Sequence, residues 1–224
     1  MVVFTPQSHQ YFNDYTGEEY ISSSGVLAQF KPKFDSDKWS KIVADREKVS
    51  QAEILARWDK IKTDACTKGT NIHKLIEVYF TENLNDGSVN LGNFIKLFDT
   101  IRVNRSKINA EKLVYNHQYK IAGTSDIIED CGSYFNVYDY KTNARFRYTN
   151  KYNEYMLEPM GHLLVCEYNT YSLQLSLYAY MYSMMTGKHI GRLGVFHHDN
   201  GNWQLIPIIY LKDSVEKLLP LIKH

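Results

Sequence analysis

Asp126, Asp139 and Lys141 are the residues of this chain whose types and spacing best suit chemistry. A turn at residues 131–133 separates two runs rich in β-branched and aromatic residues within 119–142, which predicts a β-hairpin. Because side chains alternate between faces along a strand, Asp139 and Lys141 project from the same face. Two carboxylates and one ammonium are therefore expected to converge on one patch of the sheet.

The register of this hairpin decides how close the two carboxylates come. Folding about Gly132 brings Asp126 opposite either Tyr138 or Asp139, depending on a bulge that the sequence does not locate. Directly opposed residues have Cβ atoms roughly 4.5–5.5 Å apart. Two ionised carboxylates about 5 Å apart repel by ~3 kcal/mol at an effective dielectric near 20. A bound divalent cation relieves this repulsion more completely than one lysine does.

Such a patch predicts a metal site. Ligation by oxygen atoms suits Mg²⁺ or Mn²⁺ rather than zinc. A metal of this kind lowers the pKa of a bound water and stabilises charge on a phosphoryl oxygen. Lys141 can then orient or deprotonate the attacking water, or help to neutralise the phosphate. The alternative is a solvated hairpin that carries an exposed Asp–Lys pair.

The composition is ordinary for a globular protein, with 224 residues of which 44% are hydrophobic and 23% charged. This length suits a single domain. The net charge is +1, so any contact with nucleic acid must come from a local basic patch, which weakens a role in coating DNA. The three cysteines form no CxxC pair, which argues against a zinc site and an iron–sulfur cluster, and their odd number argues against a disulfide framework.

Residues 1–14 contain no visible signal peptide, and no stretch approaches the ~18 uncharged apolar residues of a membrane span. An odd number of widely spaced cysteines is typical of a reducing compartment. We therefore expect a soluble, intracellular protein with no membrane partner, located in the cytoplasm, or in the host cytoplasm if the protein is viral.

Several elements are predicted ahead of the hairpin. Residues 11–23 predict a shorter hairpin that turns at Thr16-Gly17, followed by a helix that Ser22, Ser23 or Ser24 caps and that stops at Lys31-Pro32. Residues 35–64 have the period of a charged helix with a solvated face. Its apolar stripe consists of Trp39, Ile42, Val43, Ile54, Leu55, Trp58 and Ile61.

A further helix, which begins at Gly69, places His73 and Glu77 one turn apart on one face, with Thr70 one turn earlier. A single histidine in such a position is more often a hydrogen-bonded structural residue than a ligand. Glu111 opens the strand that leads into the central hairpin. It lies near the metal patch or is a plain charge at a strand end.

Basic and aromatic residues interleave in the segment that follows Lys141. This pattern suits a nucleic-acid strand, with cations on phosphates and rings under bases. The alternative is a mobile polar loop with packed aromatic rings. The polar members are Thr142, Asn143, Arg145, Arg147 and Lys151, and the aromatic ones are Phe146, Tyr148, Tyr152 and Tyr155.

The rest of the chain predicts a helix over 171–185 that ends at Gly187, with Tyr171, Gln174 and Tyr178 on one face.

A C-terminal hairpin and helix follow, and His197 and His198 are predicted to be surface residues beside the hairpin turn. The whole chain, residues 1–224, is predicted to form one domain. Its parts are an N-terminal hairpin and helices (1–65), a core (66–187) and the C-terminal hairpin and helix (188–224).

Four short motifs occur in the order found in the RecB-like, lambda-exonuclease-like branch of the PD-(D/E)XK nucleases. They are Gly69-Thr70…His73…Glu77, Gly123-x-x-Asp126, Asp139-x-Lys141 and Gln174-x-x-x-Tyr178. The match spans residues 69–178, and residues 11–30 resemble the openings of small phage and mitochondrial single-domain exonucleases of this branch. Ser125 replaces a proline, as is common in the branch, and the four-cysteine cluster of the iron–sulfur members has no counterpart.

The resemblance implies an α/β fold in which helices flank a central mixed β-sheet, a restriction-endonuclease-like core. It also implies Mg²⁺ or Mn²⁺ as cofactor and no iron–sulfur cluster. The implied metal ligands are the carboxylates of Asp126 and Asp139, the backbone carbonyl of Tyr140, and His73.

The resemblance further implies catalytic roles for Lys141, which would position or activate water, and for Gln174, which would line the site with Tyr178. Glu77 would bear on the site less directly. With the segment after Lys141, the expected substrate-binding residues are Thr70, Glu77, Thr142, Asn143, Arg145, Arg147, Tyr171 and Tyr178.

The function expected from this resemblance is a metal-dependent DNA exonuclease in replication, recombination or repair. Its partner would be DNA, single-stranded or with free ends, and a homo-oligomer or a recombination-protein partner is compatible with the sequence. Two alternatives stay open. One is a structure-specific or restriction-type endonuclease of the same fold, and the other is a DNA-end-binding subunit without catalysis.

Overall fold

One mixed β-sheet flanked by helices forms the core of the protein, which confirms the predicted fold class. The computed structural model describes residues 1–6, 8–81, 91, 93–101, 107–199 and 202–224. In this part of the chain the strands are β1 (Val2–Thr5), β2 (Gln10–Asn13), β3 (Glu19–Ser22), β4 (Ile108–Asn116), β5 (Ile121–Asp130), β6 (Tyr134–Lys141), β7 (His189–Asp199) and β8 (Asn202–Ile208). The helices are α1 (Ser23–Gln29), α2 (Ser36–Glu47), α3 (Gln51–Thr81), α4 (Phe94–Thr100), α5 (Glu167–Thr186) and α6 (Lys212–Leu218), and a 3-10 turn follows at Leu219–Leu221.

The sheet order is β1-β2-β3-β5-β6-β7-β8, and β4 pairs with β5 as well. β3 with β5 and β6 with β7 are parallel, and the other neighbours are antiparallel. Because β4 occupies one edge of β5 along nearly its whole length, β3 and β6 must share the opposite edge. β5 is therefore the strand around which the sheet is assembled.

Both predicted hairpins before residue 142 are confirmed, and each has a glycine at its turn. Gly17 between β2 and β3 has φ +67°, and Gly132 between β5 and β6 has φ +92°. Glycine adopts such left-handed backbone without the steric cost of a Cβ atom. The predicted cap is confirmed too, since Oγ of Ser22 accepts a hydrogen bond of 3.0 Å from the backbone N–H of Gly25 in α1.

The prediction of a separate helix beginning at Gly69 is wrong. α3 is one helix of 31 residues, and Gly69 lies inside it, as does the predicted boundary between residues 65 and 66. The break falls earlier, at Lys48, which ends α2 with φ +60°.

The apolar stripe predicted for this region is largely exposed. Ile54 is buried, but Ile42, Leu55 and Ile61 are 47%, 39% and 60% exposed. α2 packs against the N-terminal part of α3, whereas the side chains of residues 59–68 are all exposed. The middle of α3 is thus exposed to solvent, whereas its C-terminal part packs on the sheet.

The buried side chains form three groups. The first core lies under α1, α5 and α6, the second under α4 and the end of α3, and the third under the N-terminal hairpin. Ile121 and Ile128 both belong to the first core, although they are seven positions apart, an odd offset that puts side chains on opposite faces of a regular strand. Ile127 belongs to the second core. The alternation of faces along β5 is therefore interrupted between these positions.

The C-terminal elements follow the prediction in outline. α5 ends at Gly187, whose φ is +72°. β7 and β8 form the predicted hairpin, and its turn, residues 200–201, lies outside the described residues. Among the described residues, no helix has both the length and the apolar character that crossing a membrane requires.

Candidate metal centre

Asp126 lies where β5 changes partners. On one edge of β5, β3 pairs with Ile121 and Ala122, and β6 pairs from Ile127 onward. Residues 123–126 lie between these two ladders. At this point β6 bonds to a side chain of β5 and not to its backbone. The backbone N–H of Tyr140 donates a hydrogen bond of 2.8 Å to Oδ2 of Asp126.

Three carboxylates form a row across β4, β5 and β6, which we call the acid row (Glu111, Asp126 and Asp139). The β4–β5 ladder keeps one register on both sides of Glu111, and that register places Glu111 opposite Asp126. Ile127 pairs with Tyr138, so the next position of the β5–β6 ladder places Asp126 opposite Asp139. Of the two registers left open by the sequence, the one that brings the aspartates together is therefore found.

Glu111 lies at an irregularity in the backbone of β4. Its φ is +47°, a left-handed backbone that is uncommon for glutamate. This position coincides with the interrupted alternation of β5. The irregular backbone therefore lies at the acid row, where the three carboxylates come together.

His73, a residue of α3, also lies next to the acid row. Its Nδ1 lies 3.5 Å from Oδ1 of Asp126 and 3.9 Å from Oε1 of Glu111. Burial by itself would lower the pKa of His73, but the two neighbouring carboxylates outweigh it and raise that pKa to about 10.

These three side chains could hold a metal ion. Within the described residues, one ligand atom each from His73, Glu111 and Asp126 lie within 4.8 Å of one another. The two carboxylates suit Mn²⁺ or Mg²⁺, and of these two ions the nitrogen ligand favours Mn²⁺. The residues present therefore fit the expected cofactor, whose binding remains a prediction.

Asp139, which is buried, and Lys141, which is half-buried, form an ion pair beside this donor set. Asp139 is 2% exposed, and Nζ of Lys141 pairs with its Oδ2. The alternative of an exposed, solvated Asp–Lys pair is therefore wrong.

The two aspartates have opposite pKa shifts. Burial and then the charge of Asp126 raise the pKa of Asp139 to about 7, against the influence of Lys141. Burial acts on Asp126 in the same direction, but the contact with His73 outweighs it and holds the pKa of Asp126 below its usual value. Burial also acts to lower the pKa of Lys141, but the two aspartates outweigh it and raise that pKa.

Gln174 and Tyr178 lie on α5 next to β5. Nε2 of Gln174 donates a hydrogen bond of 3.0 Å to the hydroxyl of Tyr178. The Tyr178 ring packs directly on Gly123, where a Cβ atom would lie only 2.6 Å from Cε1 of Tyr178. The absence of a side chain at Gly123 thus allows α5 to approach β5 just before Asp126.

Tyr140 contributes its ring to the second core, 5.4 Å from the ring of His73. A role for its backbone carbonyl in metal binding stays a prediction.

The residues predicted to bind substrate are only partly brought together. Thr142 lies next to α3, since a Cβ atom at Gly69 would be 3.7 Å from its Oγ1. Asn143 accepts a hydrogen bond of 3.2 Å from the hydroxyl of Tyr171, and Nζ of Lys141 lies 5.0 Å from the centre of the Tyr171 ring. These residues surround the end of β6.

The other predicted substrate-binding residues differ in their surroundings. Thr70 is exposed on α3, Glu77 is half-buried one turn beyond His73, and Arg145 is exposed. Nε of Arg147 donates to both carboxylate oxygens of Glu167 at 3.0 and 2.8 Å. Arg147 is thus already engaged by an acid of its own chain.

Two residues at the site were missed or left open by sequence reasoning. Glu111 was left open, and its only signal was an acid in the strand that leads into the hairpin. His197 was predicted to lie on the surface, which is wrong, because its side chain is 2% exposed. Its contact with Gln204 lies within the predicted β7–β8 hairpin, but its contact with the backbone carbonyl of Asn143, on the segment after β6, is one that no local pattern indicates.

No family model matches the sequence, and no curated protein matches it. Among solved structures, the crystal structure of SSO0001 is similar, with 12% sequence identity, coverage of 89% of this chain and 72% of that chain, and a TM-score of 0.39. A likeness at this level carries no argument about function.

Proposed function

We propose that this protein is a metal-dependent deoxyribonuclease that hydrolyses phosphodiester bonds from DNA ends. The observation that carries this proposal is the acid row on three neighbouring strands, with His73 on one side of it and Lys141 on the other. Buried like charges at this spacing are costly unless a cation joins them. All the acidic and lysine positions that the chemistry requires are retained, which disfavours a subunit that only binds DNA.

His73, Glu111 and Asp126 would hold the divalent cation, with Asp139 beside them. When bound, the cation would lower the pKa of a water and neutralise charge that builds on a phosphoryl oxygen. His73 would have to give up its proton to bind through Nδ1. Binding is therefore expected to strengthen as the pH rises.

Lys141 keeps its proton, because the neighbouring carboxylates raise its pKa. It therefore serves as a hydrogen-bond donor rather than as a base. Its ammonium forms an ion pair with Asp139, and its N–H groups would orient the attacking water or contact a phosphate oxygen. The resulting charge-assisted hydrogen bonds are about twice as strong as neutral ones.

The surface that follows Lys141 supports a DNA strand as substrate. Tyr148 and Tyr152 are 57% and 70% exposed, and Nζ of Lys151 lies 5.7 Å from the centre of the Tyr152 ring. Exposed rings that alternate with cations suit stacked bases and backbone phosphates. A single strand or a frayed end presents unstacked bases in this way, whereas an intact duplex does not.

The test is the cleavage of end-labelled single- and double-stranded DNA and of covalently closed circles, with Mn²⁺, with Mg²⁺ and with EDTA. We expect metal-dependent degradation of the linear DNA, intact circles, and no degradation by Asp126→Asn. Asp130→Asn is the matched control, because Asp130 lies in the same strand but pairs with Lys188 away from the acid row. Nicked circles would indicate an endonuclease, and tight DNA binding without any product would sink the catalytic proposal.

A further inference from the structure

His197 is buried beside the end of β6. It pairs with Lys141 of β6 on one side and with Gln204 of β8 on the other. Directly paired residues of neighbouring strands project from the same face of a sheet. Lys141, His197 and Gln204 therefore form a polar row on one face, next to the acid row.

The hydrogen bonds of His197 determine which nitrogen carries its proton. Nε2 lies 2.8 Å from the backbone carbonyl oxygen of Asn143, and Nδ1 lies 3.3 Å from Nε2 of Gln204. A carbonyl can only accept, so Nε2 of His197 donates to Asn143, and Nδ1 accepts from the Gln204 amide. Both ring nitrogens are thus engaged, and the ring cannot rotate without breaking a hydrogen bond.

Asn143 is the first link from His197 to the candidate site. Its Oδ1 accepts from the hydroxyl of Tyr171 at 3.2 Å, and its Nδ2 donates to the backbone carbonyl of Arg145. Because His197 holds the backbone carbonyl, both ends of Asn143 are fixed. The hydroxyl of Tyr171 is fixed with them.

Tyr171 carries the link to Lys141. Nζ of Lys141 lies 5.0 Å from the centre of the Tyr171 ring, which is the distance of a cation–π contact. The Phe146 ring fills the space between, at 5.6 Å from the ring of Tyr171 and 5.3 Å from that of His197. A displacement of His197 is therefore transmitted to the ammonium through hydrogen bonds and packed rings.

We propose that His197 is a positioning residue that holds the ammonium of Lys141 in place through Asn143 and Tyr171. A lysine has a flexible four-carbon side chain, so its ammonium needs fixed contacts to stay at one point. The catalytic consequence of this positioning rests on the proposed nuclease function. The effect of His197 on the position of Lys141 is independent of that function.

Two substitutions separate the hydrogen bonds of His197 from its packing. His197→Phe keeps an aromatic ring against Phe146 but removes both hydrogen bonds. His197→Gln can place an amide N–H where Nε2 of the histidine donates. His198→Phe is the matched control, because His198 is the next residue along β7 and packs against Trp203, 4.9 Å between ring centres, rather than on the site.

The first measurement is the kinetics of DNA cleavage. We expect His197→Phe to lower kcat roughly 10- to 100-fold, because small misplacements of a catalytic group cost about this much. KM for DNA and the Mn²⁺-induced rise in Tm should not change, and His197→Gln should recover most of the activity. Equal losses in His197→Phe and His197→Gln, or a change in KM alone, would contradict a positioning role.

The second measurement needs no activity. Acylation of lysines in the folded, metal-free protein, followed by peptide mass spectrometry, reports how freely Lys141 is reached. We expect Lys141 to react several-fold faster in His197→Phe and at the wild-type rate in His198→Phe. An unchanged rate in folded His197→Phe overturns the proposal, even if DNA cleavage falls.

Gln204→Leu decides the matter if His197→Phe does not fold. Gln204 is exposed on the edge strand β8, so its replacement weakens the same network without disturbing a core. It must then accelerate the acylation of Lys141, and an unchanged rate overturns the proposal. Faster acylation in a protein whose wild type cleaves no DNA would retain the positioning role and refute the nuclease function.

Discussion

The β5–β6 hairpin buries carboxylates at two places, and it treats them differently. Near its turn, Glu129 is 3% exposed and pairs with Asn136, whose Nδ2 donates to Oε2 of Glu129 at 2.6 Å. Oδ1 of the same asparagine accepts from the backbone N–H of Arg192 at 2.7 Å. At the other end, Asp126 stands opposite Asp139.

An amide opposite a buried carboxylate satisfies it without adding charge, whereas a second carboxylate repels it. This chain therefore has a stable way to bury an acid on this hairpin and does not use it at the acid row. Two ionised carboxylates at such spacing cost about 3 kcal/mol at an effective dielectric near 20. His73 and Lys141 offset part of that cost. Under the proposed function, the acid row serves to bind a cation rather than to stabilise the fold.

The largest expected effect comes from giving the Asp126–Asp139 end of the hairpin (the site end) the acid–amide pairing of the Glu129–Asn136 end (the turn end). Asp139→Asn places an amide opposite Asp126 and removes the repulsion. We expect DNA cleavage to fall by roughly 10³-fold, as for other groups that stabilise charge in a transition state. The metal-free protein should be at least as stable as the wild type in urea unfolding. Retained cleavage, or a large loss of stability, would show that Asp139 is structural.

Addition of Mn²⁺ should stabilise the folded protein, and this stabilisation should depend on the acids of the site end and not on Glu129 at the turn end. A ligand that binds the folded state at 100 times its Kd stabilises it by about 2.7 kcal/mol. We expect Mn²⁺ to raise the Tm of the wild type and of Glu129→Gln, and to leave that of Asp126→Asn unchanged. Differential scanning calorimetry with and without Mn²⁺ makes the measurement, and an equal shift in all three proteins would place the metal elsewhere.

Removal of the amide at the turn end should cost stability and not activity. Asn136→Ala removes the hydrogen bonds to Glu129 and to the backbone of Arg192. Groups buried without such partners cost about 1–3 kcal/mol. Urea unfolding should show that loss, while kcat per folded molecule stays at the wild-type value. A loss of activity at full stability would mean that the two ends are not independent.

The last expected effect is a dependence of stability on pH. The pKa of Asp139 is raised to about 7 in the folded protein from an ordinary value of 3.8. In metal-free protein this carboxyl therefore favours folding at low pH, and that contribution is lost as the pH rises from about 4 to 7. The stability gained by Asp139→Asn over the wild type should grow through this window and level off above it. Urea midpoints measured across pH 4–8 test the sign, and a gain that shrinks with rising pH contradicts it.

The local features of the fold followed from the sequence, because neighbouring residues are sufficient to produce them. Gly132 allows the turn of the central hairpin, Ser22 caps α1, and Gly187 ends α5. The alternation of side chains also placed Asp139 and Lys141 on one face. Each of these depends on backbone conformation over a few residues.

Other features depended on contacts between distant residues and were missed. The exposed apolar side chains of α3, such as Ile61, have the spacing of a buried stripe, yet no element in the described part of the chain covers them. The surface assignment of His197 failed for the opposite reason, since β8 and the segment after β6 cover it.

The sequence alone placed Asp126, Asp139 and Lys141 on one hairpin, and it predicted a cation site there. Only the tertiary structure decided that Asp126 stands opposite Asp139, that Glu111 completes the row, and that His73 reaches it from α3. The physical reason is that register, strand order and helix docking are set by the burial of three separate cores. No stretch of the chain by itself carries that information.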